Sequence, residues 1–334
     1  MTVDESRAAP PARVTIRDVA RAAGVSRQTI TRAINGMPEI SEKTREHVLR
    51  TVEELGYRPN RFAIDLSKQR SHAVGLIVGT FQNPYYAQLA DAFVTELRRR
   101  DWQVVVGSAD HHELEAISAM AGQVDAIIGY FLEPQEAVAA AARGVPVIAL
   151  ERKASQPGLH SVEFDLEAGM ADMVAALRAK GAVRFGMIDS AGHHPDEPTA
   201  SPRRRLFEQA VGEPCPVVVE PESIAGGADG VRSLLAEHPQ LDTVLAFNDL
   251  MAMGAVQGAH ALGIDVPGTL RIVGVDGLSL GEAISPMLTS LSFETHLVAA
   301  EAASILSEVF AGTADRSASI TRSVTPVVIW RESA

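Results

Sequence analysis

The sequence predicts an N-terminal all-α helix-turn-helix domain followed by an α/β body of two lobes. Three observations carry that prediction. Up to about residue 60, apolar residues recur with helical spacing in short runs separated by turn formers. From Ser71 the pattern changes to short continuous apolar runs alternating with amphipathic stretches. The charge divides at the same place: residues 1–70 carry 13 Lys+Arg against 9 Asp+Glu, and the remainder carries 17 against 33. A chain of 334 residues also exceeds one ordinary domain.

Residues 1–12 are small and polar with Pro10-Pro11, and are expected to form a disordered tail. Thr15-Ile16-Arg17-Asp18 has the form of a capping box, Thr and Asp each placed to satisfy free amides of a first helical turn. Ile16, Val19, Ala20 and Ala23 follow on one face, and Gly24-Val25 ends that helix. Ser26 then caps a second short helix that turns Val25, Ile30 and Ala33 inward and Arg27, Gln28, Thr31 and Arg32 outward. After Asn35-Gly36-Met37-Pro38, Ser41 caps a third helix with a predicted buried stripe of Val48, Leu49, Val52 and Leu55. Two short helices on a tight turn, closed by a third, is the helix-turn-helix plan. Its second helix fits the DNA major groove, where Arg binds guanine O6 and N7 and Gln binds adenine N6 and N7. A plain three-helix bundle has the same periodicity, so the pattern alone leaves both open.

In the body, strand-like runs recur at 73–78, 104–106, 126–130 and 145–150, then at 184–188, 216–219, 243–247 and 271–275. Amphipathic stretches lie between most of them; in residues 85–100, Tyr86, Leu89, Ala90, Phe93 and Leu97 share one face. Continuous apolar strands alternating with helices imply parallel sheets covered on both sides. The series divides near Phe164 into two lobes, about 73–162 with 292–322 and about 163–291 with 323–334. Ligands in such folds sit beyond the carboxyl ends of the strands.

At 46% hydrophobic residues the chain can build real cores. Its single cysteine, Cys215, excludes an internal disulfide framework and fits a reducing cytoplasm. The N-terminus lacks the apolar core of a secretory signal, and no run approaches a membrane span, so a soluble cytoplasmic chain is expected. No enzyme is expected either: there is no Walker loop, no Gly-x-Ser-x-Gly and no metal-spaced histidine set. His111-His112 and His193-His194 are adjacent pairs that face one metal poorly, and Gly226-Gly227 with Gly230 misses dinucleotide spacing. No cofactor or metal is therefore expected. A free sugar-binding transport component would need a secretory signal and would leave residues 13–60 unexplained.

Residues 16–66 resemble the DNA-binding head of the lactose/galactose repressor (LacI/GalR) family. The matching elements are Asp18-Val19-Ala20, Ala23-Gly24-Val25-Ser26, Thr29, Arg32, Asn35, Ser41, Thr44-Arg45, Leu55-Gly56-Tyr57 and Pro59-Asn60. The resemblance implies a DNA-binding domain at 13–59 in which Ser26 opens the reading helix and Arg27 and Gln28 select the operator. Thr31 and Arg32 would add base or backbone contacts, and Thr15, Asn35 and Asn60 would hold phosphates. Residues 60–72 would be hinge and linker, with Leu66 wedged into the minor groove beside Ala63 when DNA is bound. Asp65 departs from the family, because a carboxylate near phosphates is repelled.

The body is similar to the same family, whose sensor resembles periplasmic sugar-binding proteins. Gly75-Leu76-Ile77-Val78, Asn83-Pro84-Tyr85-Tyr86, the run Ala246 to Ala255, Ile272-Val273-Gly274-Val275-Asp276 and Pro286-Met287-Leu288-Thr289-Ser290 carry the likeness. It implies an effector pocket at Tyr85, Tyr86, Glu151, Arg205, Asn248 and Asp276, a set suited to a polyhydroxylated ligand such as a sugar or related metabolite. Each has a second reading: Asn248 or Asp249 caps the next helix, Arg203 to Arg205 are solvated surface, and Tyr85 is core. The chain is shorter than the family between Ser108 and Val124, compressed from Phe207 to Glu220, and carries Gly277 and Phe293 where polar residues are common. These departures leave open a smaller effector, or a degenerate pocket in an effector-blind regulator. The implied partners are double-stranded operator DNA, a small-molecule effector and a second copy of the chain as a homodimer. The surface around helix 85–100 is the implied dimer interface, and no apolar heptads follow the last strand to extend it to a tetramer.

Overall fold

The computed structural model describes residues 15–34, 39–55, 73–109, 112–190, 200–312 and 318–334. The chain divides into two compact units, 1–71 and 72–334.

In the first unit, α1 (Ile16–Ala23), α2 (Arg27–Ile34) and α3 (Glu42–Glu54) enclose a small core of Val19, Ala20, Ala23, Ile30, Ala33 and Val48. Each helix begins on a short polar side chain. Asp18 accepts the Thr15 N–H at 3.0 Å and the Thr15 hydroxyl at 2.6 Å. That hydroxyl holds the Asp18 carboxyl below its ordinary pKa. Ser26 and Ser41 accept the amides of Thr29 and Thr44 at 3.1 and 3.2 Å. The His47 ring lies 3.2 Å from the Ala23 carbonyl, fastening α3 to the end of α1. The stripe expected on α3 is narrower than its sequence implies. Val48 is fully buried, but Leu49 and Leu55 are 43% and 37% exposed. Leu49 follows Val48 by one residue and points about 100° away around the helix. Thr51 takes the inward place, its hydroxyl donating to the His47 carbonyl at 2.9 Å.

Among the described residues, the second unit holds two six-stranded sheets. The first has the order β11-β5-β4-β3-β1-β2. Its strands are β1 (Ala73–Val78), β2 (Gln103–Ser108), β3 (Ala126–Gly129), β4 (Val147–Leu150), β5 (Leu159–Phe164) and β11 (Thr321–Val324). All neighbouring pairs are parallel. The second has the order β12-β10-β9-β8-β6-β7. It is built from β6 (Phe185–Ser190), β7 (Val217–Glu220), β8 (Thr243–Ala246), β9 (Arg271–Asp276), β10 (Thr289–Ser292) and β12 (Val327–Ile329). Only β12 is antiparallel to its neighbour, β10. Helices α4 (Pro84–Arg98), α5 (Glu113–Ala121), α6 (Gln135–Ala142) and α11 (Thr295–Ala311) cover the first sheet. Helices α7 (Leu166–Ala179), α8 (Pro202–Val211), α9 (Ile224–Glu237) and α10 (Asp249–Ala261) cover the second. β1, β3 and β4 are buried along their whole lengths, which is why they read as unbroken apolar runs.

The chain passes between the lobes after β5, after β10 and from β11 to β12. β5 runs to Phe164 and β11 to Val324, two residues past the boundaries drawn from the sequence, because Glu163 and Phe164 still pair with Ser323 and Val324. A continuous apolar cluster joins the lobes, from Leu76 and Leu89 through Phe293 to Met187 and Val275. Among the described residues, no helix is long and apolar enough to cross a membrane.

Candidate functional site

Of the residues implicated in DNA contact, Asn35, Asn60, Ala63 and Leu66 lie outside the described residues. Thr15 caps α1 through Asp18, and Ser26, Arg27 and Gln28 are exposed at the start of α2. Thr31 and Arg32 are half-buried one turn on. The Thr31 hydroxyl donates to the Arg27 carbonyl at 3.1 Å, and Arg32 Nε pairs with Glu39 Oε2 at 3.1 Å. Arg32 must therefore leave or share Glu39 to meet a nucleic acid, whereas Arg27 and Gln28 stand clear.

In the second unit, polar and aromatic residues converge where strands of both lobes end. α4 begins after β1, capped by Asn83, whose Oδ1 accepts the Tyr85 N–H at 2.9 Å. Tyr85 is 4% exposed, and its hydroxyl meets that of Tyr130, just beyond β3, at 2.6 Å. The Tyr85 ring lies edge-on to Tyr86 and Phe293 at 5.5 and 5.8 Å between centroids. Phe293, which follows β10, stacks on Phe164 at the end of β5 at 4.9 Å. Tyr85 thus belongs to the core wall. Tyr86 is half-buried beside it, and burial together with the Asp276 carboxylate pushes its phenol up to about 12.

The arginine of this cluster is Arg203, not Arg205. α8 starts at Pro202, capped by Ser201 through the Arg204 N–H at 3.0 Å. Arg203, Phe207 and Val211 then fall four apart on its inward face. Arg205 lies on the opposite face, exposed, donating to the Ala200 carbonyl. The Arg203 guanidinium sits 4.4 Å from the Phe247 ring centroid and 5.2 Å from that of Phe293. Its Nη1 donates to the Phe247 carbonyl at 2.5 Å and lies 3.6 Å from Asp276 Oδ1. Asp276, at the end of β9 with φ 133°, also accepts the Asn83 side-chain N–H at 3.2 Å. Burial raises its pKa, with the neighbouring Asp249 adding to the effect and Arg203 opposing it.

Asn248 is fully buried and caps α10, accepting the Met251 N–H at 3.0 Å. Its Nδ2 donates to Glu222 at 3.0 Å, and Glu222 also accepts the Ser190 hydroxyl at 2.7 Å. Asn248 therefore acts as a cap that positions Glu222. Asp249 is spent within its lobe, accepting the Leu278 N–H at 2.7 Å and the Ser290 hydroxyl at 2.5 Å. Glu151 follows β4, exposed and left-handed (φ 69°); burial raises the pKa values of Tyr85, Tyr86 and Tyr130, and the Glu151 charge adds to the effect. The structure thus brings together Tyr85, Tyr86, Glu151, Asn248 and Asp276, and it adds Asn83, Tyr130, Phe164, Arg203, Glu222 and Phe293. Arg203 was legible, because Ser201-Pro202 marks a helix start and the spacing to Phe207 and Val211 fixes the inward face. Glu222 carried no such signal, since it stands between Pro221 and Ser223 in a short loop with no apolar spacing to phase it.

A cluster of this kind offers ring faces to an apolar surface, carboxylates to hydroxyl donors and one guanidinium fork to acceptors. Comparison with known proteins gives this architecture its family. Residues 15–60 match the family model for bacterial regulatory proteins of the lacI family, and residues 174–334 match that for the periplasmic binding protein-like domain. Catabolite control protein A of Priestia megaterium is 31% identical over 307 residues, spanning 88% of this chain and 92% of that protein. The chain belongs to the lacI family of bacterial regulatory proteins. The ribose operon repressor of Halalkalibacterium halodurans is 30% identical, over 83% of this chain and 84% of that one. A LacI-family transcriptional regulator from Arthrobacter sp. FB24, solved in complex with lactose, has a TM-score of 0.70 at 27% identity, covering 78% of this chain and 98% of that one. The CelR–cellobiose complex matches with a TM-score of 0.67 at 27% identity, over 96% of this chain and 100% of that one. The lac repressor dimer bound to operator and the anti-inducer ONPF shares the fold, with a TM-score of 0.77 at 24% identity over 96% of this chain and 99% of that one. This lacI-family chain is accordingly a transcriptional regulator with a DNA-binding head and an effector-sensor body.

Proposed function

We propose that this regulator works in the cytoplasm as a non-enzymatic homodimeric repressor, reading a two-fold symmetric operator through α2 of each subunit. A small polyhydroxylated effector bound at the strand ends sets its DNA affinity. The observation that carries the effector reading is the Arg203–Asp276 pair, 3.6 Å apart and framed by Phe247 and Phe293. A fork of donors beside a carboxylate, walled by rings, matches alternating hydroxyl and C–H faces of a sugar. The lactose and cellobiose held by the Arthrobacter regulator and CelR support that class, and the operator-bound lac repressor dimer supports the dimeric reader. The effector acts by population shift and changes DNA affinity only by its differential binding to two lobe arrangements, typically ~1–3 kcal/mol of coupling.

Selection of the full-length protein on random duplex DNA tests the reader. A symmetric site with a flexible pyrimidine–purine centre is expected, and no enrichment by either the full chain or residues 1–70 overturns it. With that site in hand, fluorescence anisotropy in the presence of lactose, cellobiose and ribose tests the sensor. A second reading, an effector-blind regulator, is favoured by one observation: the Phe164–Phe293 stack and the overlying Arg203 fill space between the lobes. Operator affinity unmoved across a broad sugar panel would select it.

A further inference from the structure

The seam between the lobes is fastened by two side-chain amides at the start of α4. Asn83 donates to Asp276 Oδ2 at 3.2 Å. Gln88, just over one turn along, donates through Nε2 to the Gly277 carbonyl at 3.2 Å and accepts the Ser279 N–H on Oε1 at 3.1 Å. One helix of the first lobe thereby grips residues 276, 277 and 279 of the second. Gln88 meets backbone only, an acceptor and a donor at once, as a paired strand would.

The gripped segment is rigid on its own side. The Gly277 N–H donates to Ser290 Oγ at 3.0 Å and the Leu278 N–H to Asp249 Oδ2 at 2.7 Å. Asp249 in turn accepts the Ser290 hydroxyl at 2.5 Å. Gly277 has φ +74°, and a Cβ there would lie 2.4 Å from Ser292 Oγ, so no side chain fits at the position next to Asp276. A pull on the Asp276 carboxylate in the cleft is passed to Gly277 through one peptide bond, and from Gly277 to α4 through Gln88. α4 is in turn packed along α11, the long helix that follows the crossing after β10.

We propose that Gln88 is a positioning residue: an interlobe latch that holds the lobes closed over Arg203 and Asp276 and couples the cleft to α4. The inference uses the cleft assigned above but not the identity of its ligand. When the lobes part, the Gln88 bonds to Gly277 and Ser279 break, and Arg203 is uncovered.

The test is chemical labelling of the full-length protein with phenylglyoxal, read residue by residue by mass spectrometry. Arg203, whose side chain is 15% exposed, reports opening of the cleft. Arg152, held by the carbonyls of Phe131, Leu132 and Glu133 inside the first lobe, reports general loosening. Two variants break the latch from opposite sides. Gln88→Met removes both side-chain bonds and keeps a helix former. Ser279→Pro removes the N–H at the first position of a 3-10 turn (Ser279–Ala283), where proline is tolerated. In both, Arg203 is expected to label roughly tenfold faster or more, from loss of one or two hydrogen bonds, with Arg152 unchanged. Wild-type labelling of Arg203 in both variants overturns the latch. Equal acceleration at Arg152 overturns it too, because Gln88 would then be a general stabiliser. Neither outcome touches the effector reading, which stands or falls on whether sugars change operator affinity.

Discussion

Arg203 is where residue-scale chemistry is most exposed to test. Its charge is offset by Asp276, its plane lies on Phe247 and Phe293, and one N–H is used by the Phe247 carbonyl. Arg203→Ala leaves a buried carboxylate without its cation, a change that costs about 3–5 kcal/mol when the charge persists. Asp276 has a way out, because burial already raises its pKa and loss of Arg203 raises it further. Below that value the carboxyl is protonated and costs little; above it an unpaired charge is buried. The extra destabilisation relative to wild type in urea is therefore expected to set in as the pH rises past about 8. A penalty independent of pH would mean that the pair contributes packing alone. Arg205→Ala, on the exposed face of the same helix, should stay within about 0.5 kcal/mol of wild type at every pH. The sequence held both residues in one run of three arginines, and only the helix phase separates them.

At the scale of elements, legibility follows burial pattern. β1, β3 and β4 announce themselves because both faces are covered and every position is apolar. β5 and β10 do not, because His160, Ser161, Thr289 and Ser290 are buried with their polar atoms satisfied by distant partners, so no apolar run marks them. His160 makes a usable probe. Its Nδ1 accepts the Ile320 N–H at 3.1 Å, which only the neutral ring can do, and burial lowers its pKa from 6.5. Between the unfolded and folded values the unfolded chain binds the extra proton, so stability is fully present above about pH 6.5 and lost as pH falls below it. His160→Asn, which keeps an acceptor, should remove that share of the acid sensitivity; urea midpoints measured down the pH range check it. The α9–α10 contact is the other element-scale feature hidden from the sequence. A Cβ on Gly227 would lie 1.9 Å from the Met251 carbonyl oxygen, so Gly227→Ala must push the two helices apart. A loss of about 1–3 kcal/mol or more is expected in chemical denaturation, and a neutral result would show that α9 slides freely.

At the scale of the whole molecule, charge and architecture divide the work. The basic head and acidic body keep polyanion affinity on the first 70 residues. Operator binding should weaken steeply with salt, and anisotropy titrations across a salt series measure the slope. Arg27→Ala, whose side chain stands exposed at the start of α2, should cost ~1–3 kcal/mol on the selected operator and relax preference at one position, with non-specific binding little changed. Equal losses on both DNAs would assign Arg27 to phosphate.

The sequence by itself determined the helical head, the alternating α/β body and the family likeness, because caps, periodicity and local motifs are short-range properties of the chain. It also pointed to Tyr85, Tyr86, Glu151, Asn248 and Asp276, because strand ends are where such folds expose polar residues. The tertiary structure decided the rest: that Arg203 pairs with Asp276, that Asn248 donates to Glu222, and that Gln88 ties one lobe to the other. Each of these depends on a contact between residues far apart in the chain, as Gln88 is from Gly277, and such contacts leave no period or spacing in the sequence for a reader to find.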